Sequence, residues 1–172
     1  MGIKIAQIKF IPEKGHLDSN YIELMRVMSD IIKDNNIDII VMPECFLDGY
    51  IASEPYITKE DMVKYAIEPD TSQYVNYISV WAKNNNCWII FGCSRKGIDG
   101  IYNSALVFNR MGQITGIFDK CHLQDHDLKF APGNNLGVFD SDFGKFGIMI
   151  CADRRWPETV VNAGVKVRRV AV

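Results

Sequence analysis

The chain has 172 residues, of which 48% are hydrophobic and 23% charged, a balance that fits one globular domain and excludes intrinsic disorder. Its formal net charge of −2 argues against a broad basic surface for nucleic acid. No apolar run approaches the roughly 20 residues that a membrane helix needs.

Taken in chain order, Ile3–Phe10 reads as a first strand, rich in Ile and closed by Pro12 and Gly15. Asp18–Asn36 reads as an amphipathic helix. Tyr21, Leu24, Met25, Met28, Ile31 and Ile32 share one face, and Asn20 with Glu23 is expected to form a capping box. The continuous apolar run Ile37–Met42 fits a strand buried on both faces. After Pro43 the chain is irregular up to Thr58, which should cap a short helix together with Asp61. A second helix is expected over Thr71–Asn85, with Val75, Ile78 and Trp81 inward, and a buried strand over Cys87–Cys93.

Hairpins follow. The turn-like segments Lys96–Gly100 and Asn109–Gln113 flank a strand at Tyr102–Phe108, whose partner is Gln113–Asp119. Residues 121–135 form a polar loop ending in Pro132-Gly133, and Leu136–Phe139 and Lys145–Ile150 flank the turn SDFG. Pro157 can open a helix at its first position, and Val165–Val172 returns to strand character. Helices alternating with buried strands, then hairpins, predict a layered α/β fold with a mixed sheet.

Three reactive side chains each stand just after an apolar strand: Glu44, Lys120 and Cys151. Strand ends are where open α/β sheets usually bind ligands. A thiolate to attack an acyl carbon, a carboxylate to move protons and a cation to hold an oxyanion are the parts of a covalent hydrolase. Each residue alone also has an ordinary reading: a buried thiol, a loop carboxylate, a surface lysine. The five cysteines, at 45, 87, 93, 121 and 151, are odd in number and without CxxC spacing. That fits reduced thiols in a cytoplasm better than a disulfide framework or a structural zinc site. The opening MGIKIAQIKF has no signal-peptide core, and Ala6 stands where a myristoylation motif wants Ser or Thr.

The words around these residues resemble the nitrilase superfamily of carbon–nitrogen hydrolases. IKIAQIKF resembles the first strand of that family, IIVMPECFLDGY its glutamate motif, IYNSALVFNRMGQITGIFDKCHL its lysine motif and FGKFGIMICADRRWPE its nucleophile motif, in the family's order. The resemblance implies an α/β fold of the α-β-β-α sandwich type. It also implies Glu44 as general base, Lys120 as oxyanion cation, Cys151 as nucleophile and the Ala152 N–H as second oxyanion donor, with no metal or organic cofactor. The activity implied is hydrolysis of a small amide or N-carbamoyl compound through a thioester, releasing ammonia or an amine. C-x-D-R-R-W-P-E most resembles N-carbamoyl-D-amino-acid hydrolases, whose paired arginines recognise a substrate carboxylate. Arg154 and Arg155 match those positions, against the alternative that one of them pairs with Asp153 or Glu158.

Two departures stand out. The loop QDHDLKFAPG holds no Glu where the family usually places a second one; Asp127 supplies a carboxylate on a shorter arm, and the neighbouring His126 reads as a solvated loop residue. The chain also ends 21 residues after Cys151, so residues 1–172 are expected to be the N-terminal portion of a single hydrolase domain with its C-terminal part missing. A tail reading VKVRRVAV would then leave an unpaired strand edge. Partners are expected to be a small-molecule substrate and, where the domain is complete, a second copy of the chain; neither nucleic acid nor membrane is expected. The competing reading is an inactive remnant acting as an interaction module.

Overall fold

The computed structural model describes residues 2–33, 36–166 and 169–171. Its first half alternates strand and helix: β1 (Ile5–Gln7), α1 (Leu17–Lys33), β2 (Ile39–Val41), α2 (Gln73–Asn84) and β3 (Trp88–Gly97). The hairpin strands β4 (Gly100–Phe108) and β5 (Ile114–Asp119) follow, then β6 (Gly137–Ser141), β7 (Gly144–Ile148), α3 (Pro157–Lys166) and β8 (Arg169–Ala171). Strands β1 to β5 form one sheet in sequence order, parallel from β1 to β3 and antiparallel from β3 to β5. Strands β6, β7 and β8 form a second sheet, with β6–β7 antiparallel and β7–β8 parallel.

The apolar runs are explained by two cores on opposite faces of the larger sheet. Side chains alternate across a strand. Ile40, Ile89, Phe91, Leu106 and Phe108 face Leu24 and Met28 of α1 and Val75, Ile78 and Ala82 of α2. Their neighbours Ile39, Trp88, Ile90, Ala105 and Val107 face Phe146 and Ile148 of β7. Helix α3 lies against β6, β7 and β8. The order of layers is helix, sheet, sheet, helix, the α-β-β-α sandwich.

Several elements differ in extent from the sequence reading. The capping box at Asn20 does not form. Asn20 lies inside α1 and is buried; its Nδ2 donates to the carbonyls of Glu13 (2.7 Å) and Leu47 (2.9 Å), and its Oδ1 accepts from Glu13 N–H. Asn20 therefore pins two loops, and Glu23 pairs with Arg26 instead. Thr58 does cap its 3-10 turn, Asp61–Lys64, exchanging bonds with Asp61. Pro157 opens α3, where its missing N–H loses nothing. Val165 belongs to α3 rather than to the last strand, and Val172 lies outside the described residues.

A buried carboxylate ties the segment after β2 to the sheet. Asp48 accepts from Ile51 N–H at 3.0 Å and from Ser94 N–H of β3 at 3.1 Å. It is fully buried, and that burial pushes its carboxyl up to about 6 in spite of these bonds. A folded value above the ordinary carboxylate range means the stability Asp48 contributes is complete at acid pH and lost as pH rises through about 6. Relative to Asp48→Asn, the wild-type chain should lose on the order of 3 kcal/mol between about pH 4 and pH 6.5, as read by urea unfolding across that range.

Candidate active site

Glu44 is placed by the end of β2. Met42 N–H still bonds Ile90 O at 3.0 Å, but Pro43 has no N–H to continue the ladder, so the chain leaves the sheet there. Strand β3 passes so close that a Cβ on Gly92 would lie 2.0 Å from Pro43 O; only glycine fits beneath the segment carrying Glu44. Lys120 follows β5, fixed by its N–H to Asn103 O (2.9 Å) and by Gly133 N–H to its own carbonyl (2.8 Å).

These two residues, following β2 and β5 of the five-stranded sheet, meet in space. Lys120 Nζ lies 2.6 Å from Glu44 Oε1 and 2.7 Å from Asp127 Oδ2. The lysine side chain is 1% exposed and that of Asp127 2%. Burial alone would lower the lysine's pKa; the hydrogen bonds and charges of Asp127 and Glu44 outweigh it, and the net shift is upward. The ammonium is therefore held charged. Asn103 Nδ2 also donates to Glu44 Oε1 at 2.6 Å, and Tyr50 OH donates to Asp127 Oδ1. His126 Nε2 is 3.0 Å from the same phenol oxygen, while its side chain stays 43% exposed, as read from the sequence.

Cys151 stands three residues beyond the end of β7 (Met149 and Ile150 intervene) and begins a 3-10 turn, Cys151–Arg155, that leads into α3. It has φ 47°, a left-handed conformation that non-glycine residues rarely adopt. It is exposed, while Cys45, Cys87 and Cys93 are buried and Cys121 is half-buried. Burial raises the thiol pKa of all four others, Cys87 to about 12, which makes them poor nucleophiles. A crevice of about 180 Å³ between the sheets is lined by Glu44 and Cys151, with Gln7, Ser104, Ile90 and Ile148 among its walls. Lys120 and Asp127 lie outside this lining. Ala152 is buried behind the thiol, and Arg154 and Arg155 are exposed. Neither arginine has an ion-pair partner among the described residues.

The Asp153 carboxylate, read above as a possible arginine partner, does something else. Its Oδ1 accepts from Cys121 N–H (3.2 Å), His122 N–H (2.9 Å) and His122 Nδ1 (2.8 Å), and its Oδ2 from Ile150 N–H (3.1 Å). Fully buried, it clamps the segment after Lys120 to the turn that carries Cys151. Trp156 stacks on His122 at 4.8 Å, closing the clamp from outside.

The sequence reading does not single out Asn103 or Tyr50, and it names Asp153 only as an arginine partner. A polar Asn inside the apolar strand YNSALVF was the one available signal. Asp153→Asn turns an amide nitrogen toward one of the N–H donors and should destabilise the chain by about 1–3 kcal/mol, measured by denaturant unfolding. A change below about 0.5 kcal/mol would remove the clamp.

Comparison with known proteins places the chain in a family. A model of the carbon–nitrogen hydrolase family matches residues 6–168. The chain is 29% identical over 166 residues to a nitrilase of Pyrococcus abyssi, covering 95% of this chain and 61% of the relative. It is 32% identical over 141 residues to the omega-amidase NIT3 of Saccharomyces cerevisiae, covering 74% and 47%. The crystal structure of Saccharomyces cerevisiae Nit3 superposes with a TM-score of 0.83 at 24% identity, over 95% of this chain and 60% of that one. The chain thus spans 61% and 47% of the lengths of the two curated relatives. A match that begins in β1 and runs past α3 takes in β1 to β7 and the three turns described above, and on that ground the chain belongs to the carbon–nitrogen hydrolase family.

Proposed function

We propose that this chain carries the machinery for cysteine-dependent hydrolysis of a small amide or N-carbamoyl compound. The observation that carries the reading is the pairing of an exposed, backbone-strained thiol with a carboxylate on one crevice, that carboxylate being bound to a buried ammonium.

An amide carbon is a weak electrophile, and its nitrogen leaves only when protonated. Glu44 takes the Cys151 proton as sulfur attacks the acyl carbon. The oxyanion is stabilised by Lys120, which has three N–H donors and spends two on Glu44 and Asp127, and by the Ala152 backbone N–H. Glu44 then returns the proton to the departing nitrogen, leaving a thioester. Water deprotonated by Glu44 attacks that thioester and frees the acid. No metal or organic cofactor is needed for these steps.

Amides are preferred over nitriles as substrates because Ala-Asp-Arg-Arg-Trp follows Cys151, not the Trp-Glu that usually follows a nitrilase nucleophile. Relatives include an omega-amidase and a deaminated glutathione amidase. Arg154 and Arg155, exposed in the nucleophile turn and without an ion-pair partner among the described residues, favour a substrate with a carboxylate, which a guanidinium can bind through two parallel bonds.

In native protein, iodoacetamide followed by peptide mapping should label Cys151 at least about tenfold faster than any other cysteine, since only a thiolate reacts. Equal labelling of Cys121 would remove the nucleophile assignment. A carboxylated amide such as succinamate should protect Cys151 from this reagent. Arg154→Lys or Arg155→Lys should weaken that protection by about tenfold, the loss of one charge-assisted bond, while leaving protection by neutral propionamide unchanged. Unchanged protection by both amides in both variants would leave a general amidase without carboxylate selection.

A further inference from the structure

We infer that Tyr50 is a positioning residue for the oxyanion cation: its phenol fixes Asp127, and Asp127 fixes the Lys120 ammonium. The inference rests on the hydrolase reading above and names a residue that sets how well that site performs acyl transfer.

The first observation is a continuous chain of contacts. Tyr50 OH donates to Asp127 Oδ1, and Asp127 Oδ2 lies 2.7 Å from Lys120 Nζ, which lies 2.6 Å from Glu44 Oε1. An aspartate has one torsion fewer than a glutamate, and here both of its oxygens are engaged, one by the phenol and one by the ammonium. Without the phenol, Oδ1 loses this donor and the carboxylate is held through Oδ2 alone, by Lys120 and by the Gln124 N–H at 3.2 Å. Burial, the Asp127 contact and the charge of Glu44 push the Tyr50 phenol well above its ordinary range, so it stays a donor at every physiological pH. The groups facing it are Asp127, Glu44, Cys45 and, on its outer side, His126 Nε2 at 3.0 Å. With the phenol proton given to Asp127, His126 is the donor to the phenol oxygen.

The second observation is independent of those contacts. Tyr50 has φ 57° and ψ 47°, and Gly49 before it has φ +68°. A bulky residue in the left-handed region is strained. Asp48 holds this turn in place through Ile51 and Ser94, and the turn aims the tyrosine inward toward Asp127. Strain maintained by buried bonds at a site is the mark of a side chain held for its position.

Two reagents on one thiol test this. Iodoacetamide alkylates Cys151 by forming S–C as iodide leaves, with no oxyanion. 4-Nitrophenyl acetate acylates the same sulfur through a tetrahedral oxyanion, expelling 4-nitrophenolate and leaving an acetyl thioester. Only the second reaction draws on Lys120. Lys120→Ala sets the scale, slowing acylation by about 100-fold or more relative to alkylation. Tyr50→Phe, which removes one oxygen, should slow acylation by roughly tenfold while alkylation changes less than about twofold. His126→Ala should act in the same direction and more weakly. A merely structural role for Tyr50 would slow or speed both reactions together, and that result, or an unchanged ratio, overturns the inference while leaving Cys151 as nucleophile. If Tyr50→Phe fails to fold, the ratio is read in His126→Ala and Asp127→Asn, and an unchanged ratio in both overturns it equally. A wild-type chain whose Cys151 reacts with neither reagent overturns the hydrolase reading and this inference with it.

Discussion

A lysine ammonium that is 1% exposed dictates much of the remaining architecture. An isolated buried cation would shed its proton or unfold its surroundings. Here two carboxylates, from segments 76 residues and 7 residues away, remove that penalty. Each carboxylate must in turn be delivered with its remaining oxygen engaged or facing the crevice. The Glu44 segment is set by Pro43 leaving the ladder and by Gly92 yielding room; Asp127 is set by Tyr50 and by the Gln124 N–H. Asp48 and Asn20 then pin the segment between them from beneath. The polar residues buried around this end of the sheet form one connected arrangement, and removing any member leaves another group unsatisfied.

Backbone strain follows the same map. Among the described residues, five that are not glycine have positive φ: Cys45, Tyr50, Asn86, Asp125 and Cys151. Only Asn86 lies in an ordinary connection between helix and strand. The other four flank Glu44, carry the phenol, open the turn bearing Asp127, or carry the thiol. Such conformations persist where surrounding bonds over-determine them, and here the Asp48 and Asp153 carboxylates supply those bonds. The strain is thus concentrated where the chain turns away from strand ends, leaving the strands themselves regular.

The layering was legible from the sequence because periodicity and uninterrupted apolar runs encode burial directly. From Ile39 to Met42 and from Cys87 to Phe91 the chain is apolar at every position, since each strand serves two cores. The apolar runs placed Glu44, Lys120 and Cys151 just after strands, and the structure has them one to three residues past the ends of β2, β5 and β7. Less visible were residues whose partners lie far along the chain. Tyr50 meets Asp127 across 77 residues and Asn103 meets Glu44 across 59, separations that no local pattern records. Asn20 misled for the opposite reason: its sequence context imitates a local cap, whereas its amide is used over long range.

The double service of the large sheet has an evolutionary consequence. In β2, β3 and β4, odd and even positions belong to different interiors, so inserting or deleting one residue would exchange the two sets and place the Ile39, Trp88 and Ile90 surfaces where Ile40, Ile89 and Phe91 now pack. A length change is tolerable only in the turns, such as Ile98–Asp99 at one hairpin tip, where Ile98 is 96% exposed. Divergence within this architecture is therefore channelled: strands drift by substitution alone, and changes in reach or selectivity accumulate by lengthening and shortening the connections that rim the crevice.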